Sequence, residues 1–156
     1  MAQMIFIPMT RDDALALRSG TAERRYLGCA ATPSLVASMD GDSAIEEVEY
    51  AALSNAGVLA LALAPNAPRL VAAAEVQEEQ VEDLRRPHGE IEVRGLTWAQ
   101  VRALFADEPD ALEVATLAGK AIAGQSLAAA LITPEVAAVL DGYDLLWFAP
   151  EELDLL

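Results

Sequence analysis

The apolar positions of this 156-residue chain fall into short continuous runs and helical stripes, punctuated by Thr, Pro, Gly and Asp. MIFIPM (4–9) is an unbroken apolar run and predicts a strand buried on both faces. Thr10 then predicts the N-cap of a helix to Leu17, with Asp12 and Asp13 in its first turn, favourable to the dipole, and Gly20 just past its end. RRYLGCAA (24–31) reads as a second strand. Thr32 with Pro33 at the first helical position starts a second helix, which Asp40-Gly41 ends. Ser43 and Glu46 predict a capping box for a longer helix over 43–64, with Ile45, Val48, Ala52, Ala56, Leu59 and Leu63 as its inward stripe. The second half of that helix is apolar all round, which predicts burial by more than one neighbour. Pro65 and Pro68 close it, and RLVAAAEV (69–76) predicts a third strand. VQEEQVEDLRRPHG reads as a polar connector with one helical turn.

The second half of the chain is harder to divide. EIEVRGL (90–96) alternates polar and apolar residues, which predicts a half-exposed edge strand; a dimer through this edge is one expectation, although its charges argue for a protected edge. Thr97 predicts the cap of a helix TWAQVRALFAD. DALEVATLAGKAIAG, after Pro109, predicts another, with Leu112, Ala115, Leu117 and Ile122 in the core. TPSLVASMDGDS (32–43) aligns without a gap on TPEVAAVLDGYD (133–144), and MTRDDALAL (9–17) on LTWAQVRAL (96–104). On that internal repeat, QSLAAALI (125–132) is assigned to a strand, although its alanines alone would make it a helix. LLWFA becomes the last strand, with Trp147 and Phe148 on opposite faces and Pro150 ending it. EELDLL is then a docked turn, the alternative being a free peptide hook. The fold expected is α/β or α+β: one domain over 1–156, a central mixed sheet of about six strands with helices packed on it. Its two pseudo-twofold halves span about 1–76 and 89–150, each β-α-β-α-β with an inserted helix.

MIFIPMT, EEVEYAAL (46–53) and the closing LLWFAPEELDLL resemble a family of short, acidic, Ala-rich actinobacterial proteins with no assigned function. The resemblance implies a bacterial cytosolic protein and carries no catalytic residue across.

Charge narrows the partners. Ten bases against 25 acids leave a formal charge of −15, and no base follows Lys120. Such a surface repels phosphate backbones and anionic lipid, so neither nucleic acid nor membrane is expected as a partner. The longest apolar stretch, 56–65, is about half a membrane span. Cys29 is alone, which excludes an intrachain disulfide and fits a reducing, cytoplasmic setting. Hydrophobic residues make up 54% of the chain but aromatics only 5%, so a core of small side chains depends on few anchors: Phe6, Tyr26, Tyr50, Trp98, Phe105, Tyr143, Trp147 and Phe148.

Catalytic and cofactor signatures are sparse. His88 is the single histidine, in a polar loop, too few for a zinc site or a recognisable triad. Cys29 lies in an apolar strand without a local base, which predicts an inert thiol. Asp40-Gly41-Asp42 lacks the later ligands of a calcium loop, with Ala44 and Ile45 where an oxygen ligand and a glycine are needed. Glu46, Glu47 and Glu49 read as a solvated helix face, and neither a Walker loop nor G-x-G-x-x-G occurs. No catalytic residue, metal ligand or cofactor is assigned. The first expectation is a non-enzymatic interaction module, monomer or homodimer, offering an acidic surface to a basic protein. The second is a small-ligand-binding protein or enzyme with a polar site between the halves, drawn from Arg11, Asp12, Tyr26, Trp98 and Tyr143. A deep cleft with convergent polar groups is what would favour the second.

Overall fold

The computed structural model describes residues 1–20, 24–64 and 66–156. They form an α+β fold built on one antiparallel sheet of seven strands. The strands are β1 (Ala2–Pro8), β2 (Tyr26–Ala30), β3 (Leu70–Gln77), β4 (Val81–Asp83), β5 (Glu90–Val93), β6 (Val101–Ala106) and β7 (Leu146–Phe148). Their order across the sheet is β4-β5-β2-β1-β3-β6-β7, so the unbroken apolar run at the N-terminus becomes the central strand. Helices α1 (Arg11–Arg18), α2 (Pro33–Ser38), α3 (Ile45–Leu63), α4 (Leu112–Ala121), α5 (Leu127–Leu131) and α6 (Pro134–Gly142) complete the fold.

The two faces of the sheet are covered unequally. Phe6, Cys29, Val71, Ala73 and Ala103 pack beneath α2 to α6, with Val48, Ala52, Ala56 and Leu61 of α3 at the centre. The apolar second half of α3 is buried as expected, because it lies against the sheet and against α4 and α5 together. The opposite face carries Ile5, Ile7, Tyr26, Ala72, Ile91, Val93 and Leu104. Its cover is α1, through Ala14 and Leu17, and a C-terminal 3-10 turn (Pro150–Leu155), through Leu153.

Local start signals hold where capping is a short-range affair. Thr10 and Asp13 form a capping box, with Asp13 N–H donating to Thr10 Oγ1 at 3.0 Å and Thr10 N–H to Asp13 Oδ2 at 3.1 Å. Thr32 Oγ1 accepts from Leu35 N–H at 3.2 Å. The box expected of Ser43 and Glu46 does not form: α3 begins after Ala44 with no side-chain cap. Its stripe is buried at Val48, Ala52 and Ala56, but Ile45 and Leu63 at its two ends are exposed. In α4 the inward positions are Ala115 and Ala118, followed by Ile122, while Leu112 and Leu117 face solvent.

Two assignments are corrected, the helix read from the Thr97 cap and the strand given to 125–132 through the repeat. Residues 97–107 do not form a helix. Thr97 and Gln100 close one 3-10 turn (Trp98–Gln100), after which the chain extends as β6 and pairs with β3. The start signal is real, yet Val101, Ala103, Leu104 and Ala106 bury more surface as a strand beside β3 than one helix stripe would. Residues 127–131 are helical, with Ser126 Oγ accepting from Ala129 N–H at 3.2 Å; the alanine run follows its propensity. Helix α1 is thus matched by a strand at 96–104 and strand β2 by a helix at 127–131, while the Thr-Pro segments are helical in both places, as α2 and α6; the pseudo-twofold halves are not seen.

The edges of the sheet also differ from expectation. EIEV is interior, because the supposed connector supplies β4, which pairs with β5 from Val81↔Val93 to Asp83↔Ile91. Its alternation survives, with Ile91 and Val93 buried and Glu90 and Glu92 only partly so. Gly89, at φ +80°, turns the chain into β5 at a point where a Cβ would lie 2.5 Å from the Ala30 carbonyl oxygen, so no other residue fits there. LLWFA does form the last strand, but β7 is an edge strand and Trp147 is 61% exposed, not a core residue. Tyr50 is likewise exposed. EELDLL docks as expected, with Leu153 fully buried.

Candidate functional site

On the thinly covered face, at the end where α1 finishes, lies a cleft of about 650 Å³. Three chain segments build it. The end of α1 brings Leu17, Arg18 and Gly20; the approach to β2 brings Arg24 and Arg25; the β5–β6 corner brings Arg94 through Trp98. The corner is held by a pair of glutamines. Gln80 Nε2 donates to the carbonyls of Arg94 (3.2 Å) and Gly95 (3.0 Å), and Gln100 Nε2 donates to Gln80 Oε1 at 2.8 Å. Gly95 sits at φ +67°, which lets the chain fold back from β5 into the turn that carries Thr97 and Trp98.

Four of the chain's nine arginines therefore converge on one cleft in a protein of charge −15. Three are held by carboxylates that lie outside the lining. Arg18 donates to both oxygens of Asp154 at 3.0 and 3.1 Å, Arg24 pairs with Asp13 at 3.0 Å, and Arg25 with Glu92 at 3.0 Å. Arg24 also lies over the ring of Tyr26, 4.6 Å from its centroid, which fixes the plane of its guanidinium. Hydrogen bonds from Arg18, then its charge and that of Arg11, hold the Asp154 carboxyl below the usual carboxylate range, and the same contact raises Arg18. Arg94 has no side-chain partner among the described residues, and its fork is free to take a planar oxyanion. The Tyr26 hydroxyl is buried without a hydrogen-bond partner among the described residues.

The residues expected around a polar site do not come together. Trp98 lines the cleft and Tyr26 lies beneath Arg24, but Arg11 and Asp12 are exposed at the far end of α1. Tyr143 lines a separate cavity of about 270 Å³ beside Tyr50 and Arg69. The arginines were missed because each is unremarkable in sequence; the Arg24-Arg25 pair is a signal in a chain with so few bases, but Arg85-Arg86 carries the same one and lies outside the cleft.

The remaining chemistry-bearing residues stand apart. His88 is half-buried in the β4–β5 loop and its carbonyl accepts from Asn55 Nδ2 at 3.0 Å. Among the described residues no group of three or more His, Cys, Asp and Glu is assembled. Cys29 is fully buried, and burial, with the nearby charge of Glu90, pushes its thiol up to about 12. A thiolate is the reactive form, so Cys29 of the folded protein should resist a disulfide reagent at pH 8 and react only after unfolding in denaturant. Stoichiometric labelling without denaturant would contradict its burial.

Fold and cleft together describe an α+β protein with a ligand-sized basic cleft on the sparsely covered face of its sheet. The chain belongs to DUF6912, a family of unknown function whose model matches residues 4–156. No curated protein and no solved structure matches it significantly.

Proposed function

We propose that this protein binds a small anionic ligand in the arginine cleft. What carries the reading is the convergence of Arg18, Arg24, Arg25 and Arg94 on one concavity while the surface as a whole is strongly acidic. A volume of about 650 Å³ falls within the ~300–1,000 Å³ usual for small-molecule sites. Three arginines are pre-oriented by their carboxylates, and Arg94 is the group left to close on the ligand. The lone buried thiol and the resemblance of MIFIPMT, EEVEYAAL and LLWFAPEELDLL to actinobacterial proteins support a bacterial cytosolic setting.

Titration with inorganic phosphate at low ionic strength, followed by backbone amide shifts, tests the reading. Arg94→Gln should weaken binding roughly tenfold to a hundredfold, the worth of one charge-assisted hydrogen-bonded group. Arg85→Gln, a change at an exposed arginine outside the cleft, should leave it unaltered. Shifts absent from the cleft, or an equal loss in both variants, would refute the proposal.

A protein-interaction module remains a second reading, favoured by a different observation. Residues 121–156 carry six carboxylates and no base, and they end beside Trp147, exposed on the edge strand. A partner with a basic surface would suit that region. Capture of such a partner that fades as salt rises would support this reading; capture insensitive to salt would count against it.

A further inference from the structure

We infer that the ligand of the arginine cleft is a planar aromatic or heteroaromatic compound bearing a single phosphate or carboxylate group; this rests on the anion-binding reading above. Charge sets the first limit. Among the described residues, three of the four guanidinium groups are paired with the carboxylates of Asp154, Asp13 and Glu92, and Arg94 is the one left without an ion-pair partner. That matches an anion of one or two charges. A triphosphate would bring further negative charge into the field of a −15 protein with nothing left to neutralise it.

Size and lining set the second. A bare phosphate engaging Arg94 would leave most of a 650 Å³ cleft filled with water over the apolar floor of Leu17 and Leu96. Both leucines belong to the packed core of this face, and Trp98 packs against the same core while lining the cleft. The cleft thus offers an arginine rim, an aliphatic floor and one indole. An anion attached to a flat, weakly polar ring satisfies all three, with the ring against Trp98 and the charge at Arg94. Trp98 also lines a neighbouring cleft of about 490 Å³ that contains Trp147, but Arg102 is the one base there and Glu151 stands opposite in sign, so the anion belongs on the arginine side.

Matched probe pairs of equal charge test this by calorimetry: phenyl phosphate against ethyl phosphate, and adenosine monophosphate against ribose 5-phosphate. The ring-bearing member of each pair should bind roughly tenfold or more tightly, the usual contribution of aromatic stacking. Adenosine triphosphate should bind no more tightly than the monophosphate. Trp98→Phe should keep the preference and Trp98→Leu should erase it, each checked for an unchanged melt. Quenching of Trp98 fluorescence in a Trp147→Phe chain, which needs no change at the site, gives the same answer independently. Equal affinity within each pair, with Arg94→Gln still weakening all four probes, would overturn the aromatic class and leave anion binding standing. Failure of all four probes to bind would remove the anion-binding reading itself, and this inference with it.

Discussion

Asp107→Ala should lower the stability of the fold by about 3–5 kcal/mol, the cost of leaving one member of a buried ion pair without its partner. Arg69 and Asp107 have side chains 2% and 0% exposed, just before the start of β3 and just past the end of β6. Asp107 accepts from Arg69 Nη2 at 2.7 Å, from Nε at 3.0 and 3.1 Å, and from the Arg69 backbone N–H at 2.9 Å. Arg69 Nη2 also donates to the Tyr143 carbonyl at 3.1 Å, tying the end of α6 to the same knot. Removing the carboxylate strands a guanidinium inside the protein. For a chain of this length the midpoint of thermal unfolding should fall by roughly 10 °C. The double variant Arg69→Met, Asp107→Leu should recover much of the loss, because no charge is then buried. An Asp107→Ala protein melting within a couple of degrees of the parent would show that water reaches Arg69.

Leu153→Ala should be the second severe change, at about 2–5 kcal/mol for a fully buried leucine truncated to a methyl group. Leu153 is the peg by which the C-terminal 3-10 turn docks on the α1 face of the sheet, beside Leu104 and Leu17. Trp147→Ala should cost about 1 kcal/mol or less, since the indole is 61% exposed on an edge strand. Deleting residues 154–156 keeps Leu153 and should change the melt little, while releasing Arg18 from Asp154. Melting curves of the three variants give the ranking. Should the tryptophan variant prove the most damaged, β7 would have to pack more deeply than described.

How much of this was legible in the sequence depends on the range of the forces involved. The Thr10 and Thr32 caps, the central strand MIFIPM, the buried half of α3, the alternation of β5 and the inert setting of Cys29 could all be read directly. Each follows from residues within a few positions of one another, where hydrogen-bond reach and side-chain periodicity are fixed by the local backbone. The failures share an opposite origin. TWAQ starts a turn in the expected way, but whether VRALFA continues it is decided by the vacant edge of β3, a partner far away in the chain. Trp147 reads as a core residue by its chemistry and is exposed because, among the described residues, no strand lies beyond β7. The arginine cleft lay furthest from view. Arg18, Arg24, Arg25 and Arg94 follow no common period, and they converge because Tyr26 pairs with Val93 while α1 folds across the same end of the sheet. Sequence by itself determined where elements begin and which runs must be buried, because those are local matters of capping and transfer from water. Tertiary structure alone decided which strand lies at the edge and which charges meet, because pairing and convergence are properties of distant segments brought into register.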